Sequence, residues 1–587
     1  MELAELLIIL TGSLIVTAFA RWRGLPAPLL TVGVALLVSL IPGVPDIEID
    51  SEVILTVVLP PLLYSAALDV SLLNFRESRA QIARLGVGAV VVTAFAVGGV
   101  AYVMIPDMSL PAALLVGAVV APPDAVSAAA IGRRLGLPRK VMTVLSGESL
   151  INDAASLTLV KVFLAIVGGA SLTLWDDLGI FGLAIGVGVA VGLVLGFVAH
   201  RVRMRIDDPV IENVIGLLLP FVAYITAEEL SGSGVLGVVA AGLYVGFNSP
   251  RTGYATRLQE RPFWSAADVV LEGFVFALIG LQLQAVVLDV AESERGLGQS
   301  LGVALAVLAV VILVRPLFVF GSHYAARASR YVFLSPLLRR LRRVPTLRRV
   351  RATRGLRAVR YRPQPRMDWR QLTVISWTGM RGVVTLAAAV SIPAVTESSI
   401  AVPARDTMFL IAFIVTVGTL LIQGLTLPVV IRALGVRDDT QRDRDLAAEL
   451  EIFGTSTDET MAYVERRRPV WEERWGAELT DRAVRSTTSR LLRQNEALQR
   501  TAVDDADERG SDGRDADGEP GARVASSREA PHAIGVIRRE LLAKRREVVL
   551  RERDAGNLDE EVMRRVLLGL DAEELAMDTS ALASRRS

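Results

Sequence analysis

The chain has 587 residues, 52% of them hydrophobic, with a mean hydropathy of +0.45 and a net charge of +1. The net charge says little, because the basic residues are localised; the absence of cysteine is more informative and excludes disulfides, thiolate metal sites and a cysteine nucleophile. The averages also conceal two unlike parts, a series of apolar runs up to about Val436 and a charged, polar remainder.

The N-terminus enters an apolar run by Leu6 with no basic leader and no small-residue cleavage site, so it reads as a first membrane helix. A bilayer core of roughly 30 Å needs about 20 apolar residues per helix. Thirteen segments fit: 5–20, 25–42, 51–73, 85–105, 110–132, 141–168, 178–199, 210–229, 234–247, 265–289, 299–320, 371–393 and 406–434, the ninth being short. Val87–Met104 and Leu301–Val314 carry no charge at all. The pattern predicts an all-α membrane protein with about 13 transmembrane helices over 1–435 and a helical cytoplasmic tail over 436–587.

Loop charge predicts the orientation. Loops after odd-numbered spans hold thirty Lys and Arg residues, and those after even-numbered spans hold only Arg295 and Arg405. The odd loops are therefore expected in the cytoplasm, with the N-terminus outside and the C-terminus inside. Fifteen of those arginines fall in the loop 321–370. It reads either as a basic amphipathic segment lying on anionic lipid or as an oversized topology signal. Its position between two membrane helices argues against nucleic acid as a partner. In the tail, residues 501–527 are acidic and poor in apolar side chains, the composition of a disordered linker. The helical piece beyond it spaces Ile, Leu and Val to pack on a partner chain or on the membrane domain.

The chemistry is expected where charge enters the membrane, because each such group is costly. The fifth span places Pro122, Pro123 and Asp124 near its middle, and the twelfth places Gly379, Arg381 and Gly382 there. Prolines strip hydrogen-bond partners from the preceding turn. Unwound backbone at that depth is tolerated where it lines a cavity or is buried in protein. The two interrupted spans lie seven apart, and an odd offset gives opposite orientation, the pattern of an inverted repeat with its site where the breaks meet. In the sixth span, Glu148 and Asn152 are spaced i, i+4, as are Ser149 and Asp153. Asp153, Asn152 and Ser149 could replace the water of a small monovalent cation, with Asp124 adding a carboxylate.

A desolvated carboxylate near neutrality takes either one proton or one cation, and exchange follows if no empty site crosses. The competing reading for Asp153 is a structural ion pair with a buried arginine. Glu148–Arg315 is the favoured structural tie, with Arg381 capping loose carbonyls or pairing near the crossing. Lys161 reads as snorkelling rather than ion-binding. Asp268 and Glu272 in the tenth span stay ambiguous, while Glu212, Glu228, Glu229 and Asp69 lie near span ends. His200, His323 and His532 fall in loops or the tail, so a buried proton relay is left to carboxylates. No span holds a Ser/His pair or an HExxH metal pair, so neither an enzyme nor a resident metal is expected.

LPPLLYSAALD at 59–69, APPDAVSAAAIGRRLGLP at 121–138, SGESLINDA at 146–154, FALIGLQL at 276–283 and SWTGMRGVVTLAAAVSIP at 376–393 together resemble the sodium/proton exchanger family, in the bacterial branch of the first monovalent cation/proton antiporter group. The resemblance covers about residues 1–435. It implies thirteen helices, a dimerisation domain and a moving core domain with crossed, broken helices five and twelve. It further implies a homodimer in the bacterial inner membrane, elevator-like alternating access, and Asp153 as the ion- and proton-binding member of an Asn-Asp pair. Asn152, where some relatives have a second aspartate, implies electroneutral exchange. Glu148, Ser149 and Asp124 match motif residues of the family. The chain departs from the pattern at Pro123-Asp124-Ala125, where many members have Thr-Asp-Pro, and at Tyr64-Ser65, where many have an acidic residue. Sodium/proton exchange is the leading expectation and exchange of K+ or Rb+ for protons the alternative. A cation channel or sensor is further off, since neither filter loops nor charge rings are present.

Overall fold

The computed structural model describes residues 3–42, 53–169, 174–206, 208–292, 295–329, 367–393, 395, 402–438, 440–489 and 529–586. Most of the basic loop, 330–366, and the expected linker, 501–527, lie outside them. The chain forms two compact units, Met1–Asn248 with Arg261–Arg437 and Ser249–Glu260 with Asp438–Ser587.

The elements of the first unit, among its described residues, are helices. The unit contains α1 (Leu3–Arg23), α2 (Ala27–Ser39), α3 (Leu59–Asp69), α4 (Leu72–Ala83) and α5 (Val90–Met104). Next come two half-length helices, α6 (Leu110–Val120) and α7 (Ala125–Leu135), and the long α8 (Arg139–Val167). Then follow α9 (Leu174–Arg203), α10 (Pro209–Glu229), α11 (Gly234–Asn248), α12 (Tyr254–Leu281, in this unit from Arg261 onward), α13 (Leu283–Glu292) and α14 (Gly296–Ser329). A second half-length pair, α15 (Trp369–Trp377) and α16 (Val383–Val390), precedes α17 (Arg405–Leu434). Among the described residues eight helices are long and apolar enough to cross a membrane, and three shorter apolar ones lie at Ala27–Ser39, Ile54–Asp69 and Leu110–Val120. With the backbone satisfied inside each helix, such segments lose little in lipid.

Several helices outrun the apolar windows that announce them. α4 and α5 form one run from Leu72 to Met104, so the arginine-bearing loop expected before the fourth span is itself helical. The same overrun puts His200 in the last turn of α9 and His323 inside α14, not in loops. The physical reason is that polar end turns carry helix into the interface, where hydropathy falls but backbone hydrogen bonding continues.

Two apolar cores hold this unit. The larger draws on α5, α6, α14, α15, α16 and α17, through residues such as Val97, Leu115, Val307, Ile375 and Ile411. The smaller joins α3, α10 and α11 through Leu63, Tyr64, Leu219, Val238 and Val245. α8 belongs to both, giving Val144 and Leu145 to the first and Leu150 and Ala154 to the second. α9 and α11 touch backbone to backbone: a Cβ added at Gly192 would run into the Gly237 carbonyl, and one at Gly188 would lie 2.5 Å from the Ser233 carbonyl oxygen. Small residues permit this approach.

The second unit packs α18 (Gln441–Trp475), α19 (Glu529–Asp554) and α20 (Glu560–Arg586). Ile452, Leu542, Val549, Val562 and Leu570 form one core, and Val464, Trp471, Ile537 and Leu541 another. The segment Ser249–Glu260 belongs to this unit through charge. Arg257 Nε donates to Asp571 Oδ2 at 2.8 Å, Arg546 donates to Asp571 Oδ1 at 2.8 Å, and Tyr254 donates to Asp578.

Candidate functional site: where two interrupted helices meet

α6 starts on Ser109, whose hydroxyl accepts from Ala112 N at 3.4 Å, and it stops before Pro122 and Pro123. Residues 121–124 are non-helical, as are 378–382 between α15 and α16. α15 starts on a capping box of Asp368 and Gln371. Each break strands carbonyls that a continuous helix would satisfy. In lipid those groups need protein partners, and each break supplies partners for the other.

Arg381 makes most of these contacts. It donates from Nε to Val120 O at 3.0 Å, from Nη2 to Ala121 O at 3.2 Å, and from Nη1 to Gly379 O. Its positive charge thus sits at the negative end of the α6 dipole. Its own N–H donates to Thr419 Oγ1 of α17 at 2.9 Å, and Asp124 N donates to Met380 O at 2.6 Å. From α8, Asn152 Nδ2 donates to Pro123 O at 2.6 Å and Ser156 Oγ to Ala118 O at 2.9 Å. The two breaks and the middle of α8 therefore form one hydrogen-bonded assembly. The glycines are required by proximity: a Cβ at Gly382 would lie 2.7 Å from Asp124 Cβ, and one at Gly379 would lie 2.6 Å from Arg315 Cδ.

Arg315 of α14 meets Glu148 through two bonds, Nη1 to Oε1 at 2.6 Å and Nη2 to Oε2 at 3.0 Å, while its Nε donates to Ile375 O at 3.2 Å. Only 3% and 2% of the two side chains is exposed. A forked, buried pair of this kind is charge-assisted and geometrically specific.

Asp153 lies one residue beyond Asn152, 7% exposed, with no hydrogen bond or ion pair to any described residue. Asp124 is the charged group that acts on it electrostatically. Asp124 precedes the first turn of α7, accepts from Ser127 Oγ at 2.8 Å and is half-buried. Because the Asn152 amide nitrogen is committed to Pro123, its Oδ1 remains a buried acceptor with no donor. Ser149 is half-buried one turn before Asp153. Of the three carboxylates here, Glu148 pairs with Arg315 and Asp124 accepts from Ser127, while Asp153 has no such bond among the described residues.

Ser156, Ser127 and Thr419 escaped the sequence reading. Ser156 follows Asn152 by one turn, a signal that spacing offered; Thr419 belongs to a distant helix and gave none. Lys161 forms an ion pair with Glu228 of α10, whose other oxygen accepts from Gly234 N at 2.9 Å.

The family profile described as sodium/hydrogen exchanger, transmembrane, matches residues 6–433. An uncharacterized Na+/H+ exchanger of Mycobacterium tuberculosis is 31% identical over 82% of this chain and 85% of its own length. The Na+/H+ antiporter ApNhaP of Aphanothece halophytica is 29% identical over 76% of this chain and 77% of its own. A sodium, potassium, lithium and rubidium/H+ antiporter of Bacillus pumilus is 25% identical over 76% of this chain and 62% of its own. Among solved structures, the sodium proton antiporter MjNhaP1 of Methanocaldococcus jannaschii shares the fold with a TM-score of 0.52 at 20% identity, covering 73% of this chain and 97% of that one. With a matched profile running through both interrupted helices, the chain is a multi-pass membrane protein of the transmembrane sodium/hydrogen exchanger family, a family of monovalent cation/proton antiporters.

Proposed function

We propose that this chain exchanges one Na+ for one H+ by competition of the two at Asp153. The observation that carries the reading is the buried Asp153 carboxylate, left without a protein partner beside the donorless Asn152 Oδ1. A buried charge in a protein is ordinarily paired. Here the pairing partner is the transported ion, and the ligands are Asp153, Asn152 Oδ1, Ser149 and Asp124. Glu148 with Arg315, and Arg381 with the α6 carbonyls, hold the frame. An Asp153 carboxylate without an ion-pair partner, preceded by Asn152 and not by a second aspartate, supports electroneutral, one-for-one exchange, because either a proton or a monovalent cation cancels its charge.

The remaining features follow from this reading together with the loop charges. The chain crosses the bacterial inner membrane thirteen times, with each interrupted pair counted as one crossing, the N-terminus outside and the tail inside. Residues 1–435 form the transport domain and 436–587 the cytoplasmic tail. The basic loop 321–370 lies on anionic lipid. The protein works as a homodimer, and the helices around the crossing move as an elevator. K+ or Rb+ exchange is the second reading, favoured by the ion range named for the Bacillus pumilus relative.

Ion-resolved exchange in proteoliposomes tests this. A proton gradient should drive uptake of Na+ and Li+ more than K+ and Rb+, and Asp153→Asn should abolish it. Normal transport by that variant refutes the mechanism, and a stronger response to K+ and Rb+ selects the second reading.

A further inference from the structure

The site leaves one pair of intramembrane carboxylates unused. α12 carries Asp268 and Glu272 one turn apart, and no basic residue occurs between Arg261 and Arg295. Both are half-buried, and neither makes an ion pair with a described residue. Like charges at this spacing repel.

Asp268 is nevertheless held in place. Ser65 of α3, itself buried, donates its hydroxyl to Asp268 Oδ2 at 2.7 Å. One turn earlier on α12, Trp264 packs against Tyr64 with ring centroids 5.2 Å apart. A hydrogen bond and an aromatic contact thus fix the same stretch of α12 against the same stretch of α3. The charged groups facing Asp268 are Asp69 at the end of α3 and Arg133 in the last turn of α7. Those facing Glu272 are Asp268, Asp124, Arg133 and Arg21. Asp268 therefore lies on the side of the site where the basic loops begin, and Glu272 links it electrostatically to Asp124.

We propose that Asp268, positioned by Ser65, sets the affinity for the transported monovalent cation on the approach from the basic-loop side. The inference rests on the exchange reading above. Its carboxylate draws the cation in and, with the free lone pairs of the Ser65 hydroxyl, replaces part of the hydration shell before the ion reaches Asp153. Both are hard oxygen donors suited to such an ion. Asp268 acts ahead of the competition step, so it changes how much cation is needed and not whether exchange occurs.

The test uses full-length protein in proteoliposomes, with Na+ as the probe. Asp268→Asn keeps the size of the side chain and an acceptor for Ser65 while removing the charge. The half-saturating Na+ concentration should rise about three- to ten-fold with the maximal rate within about two-fold. Asp268→Glu should restore it. High choline should narrow the gap between wild type and Asp268→Asn, because the attraction is screened. Ser65→Ala, which alters no charge, should shift the half-saturating concentration the same way by a smaller factor, and it decides the matter if Asp268→Asn does not fold. An unchanged half-saturating concentration, or a fall in maximal rate alone, overturns the proposal. Wild-type exchange abolished by Asp153→Asn but indifferent to Asp268→Asn sinks this inference only; no cation-dependent proton flux in the wild type sinks the exchange reading itself.

Discussion

Replacing Glu148 by glutamine removes a charge but almost no volume. Arg315 then keeps an amide oxygen and the Ile375 carbonyl at 3.2 Å as acceptors, with no negative partner at 2.6 Å. The Arg381 guanidinium is close enough to interact with it and repels it. Removing one member of a buried pair costs about 3–5 kcal/mol, mainly because the other charge is stranded. The 3% exposure of the Arg315 side chain puts this site at the buried end of that range. Arg315→Met strands Glu148 in the same way. Glu148→Gln/Arg315→Met strands neither, and neutral replacement of a buried pair is often close to neutral in stability. The single losses should therefore not add, and the double-mutant cycle should show a coupling of at least about 3 kcal/mol. Unfolding in mixed micelles, followed by tryptophan fluorescence for all four proteins, measures it. A double variant that loses the sum of the two singles would refute the stranded-charge argument, as would a Glu148→Gln protein as stable as wild type.

Gly192→Val should separate α9 from α11, because its first side-chain carbon already meets the Gly237 carbonyl; a loss of about 1–3 kcal/mol in the same unfolding measurement is expected. Asp571→Ala should leave Arg257 and Arg546 without their shared carboxylate, and faster amide hydrogen exchange across 249–260 is the outcome to look for.

The interrupted helices were legible because each break is written twice, once as Pro-Pro or Gly-x-x-Gly and once as a charge that lipid would reject. Asp153 and Asn152 stood out for the same reason, being polar residues at mid-span. The positive loops were legible as charge, but not as structure: arginines at 76 and 79 sit on α4, since helix formation does not stop where hydropathy does. What could not be read were the partners. Thr419 lies 38 residues from Arg381 and Ser65 lies 203 from Asp268, and a threonine or serine in a membrane helix is ordinarily satisfied by its own backbone. Lys161, expected to snorkel, is exposed and pairs with Glu228, where α10 ends and α11 begins, a partner that spacing along one helix does not announce. Long-range pairing of this kind is a property of packing, and one sequence carries no periodic trace of it.

The glycine seam between α9 and α11 has a mechanical consequence. Interdigitated side chains can change rotamer when two helices shear, whereas peptide planes in direct contact have no such slack. α9 and α11 are therefore expected to stay together as one plank in any rearrangement, and α3 with them, since a Cβ at Gly246 of α11 would lie 2.7 Å from the Leu68 carbonyl oxygen.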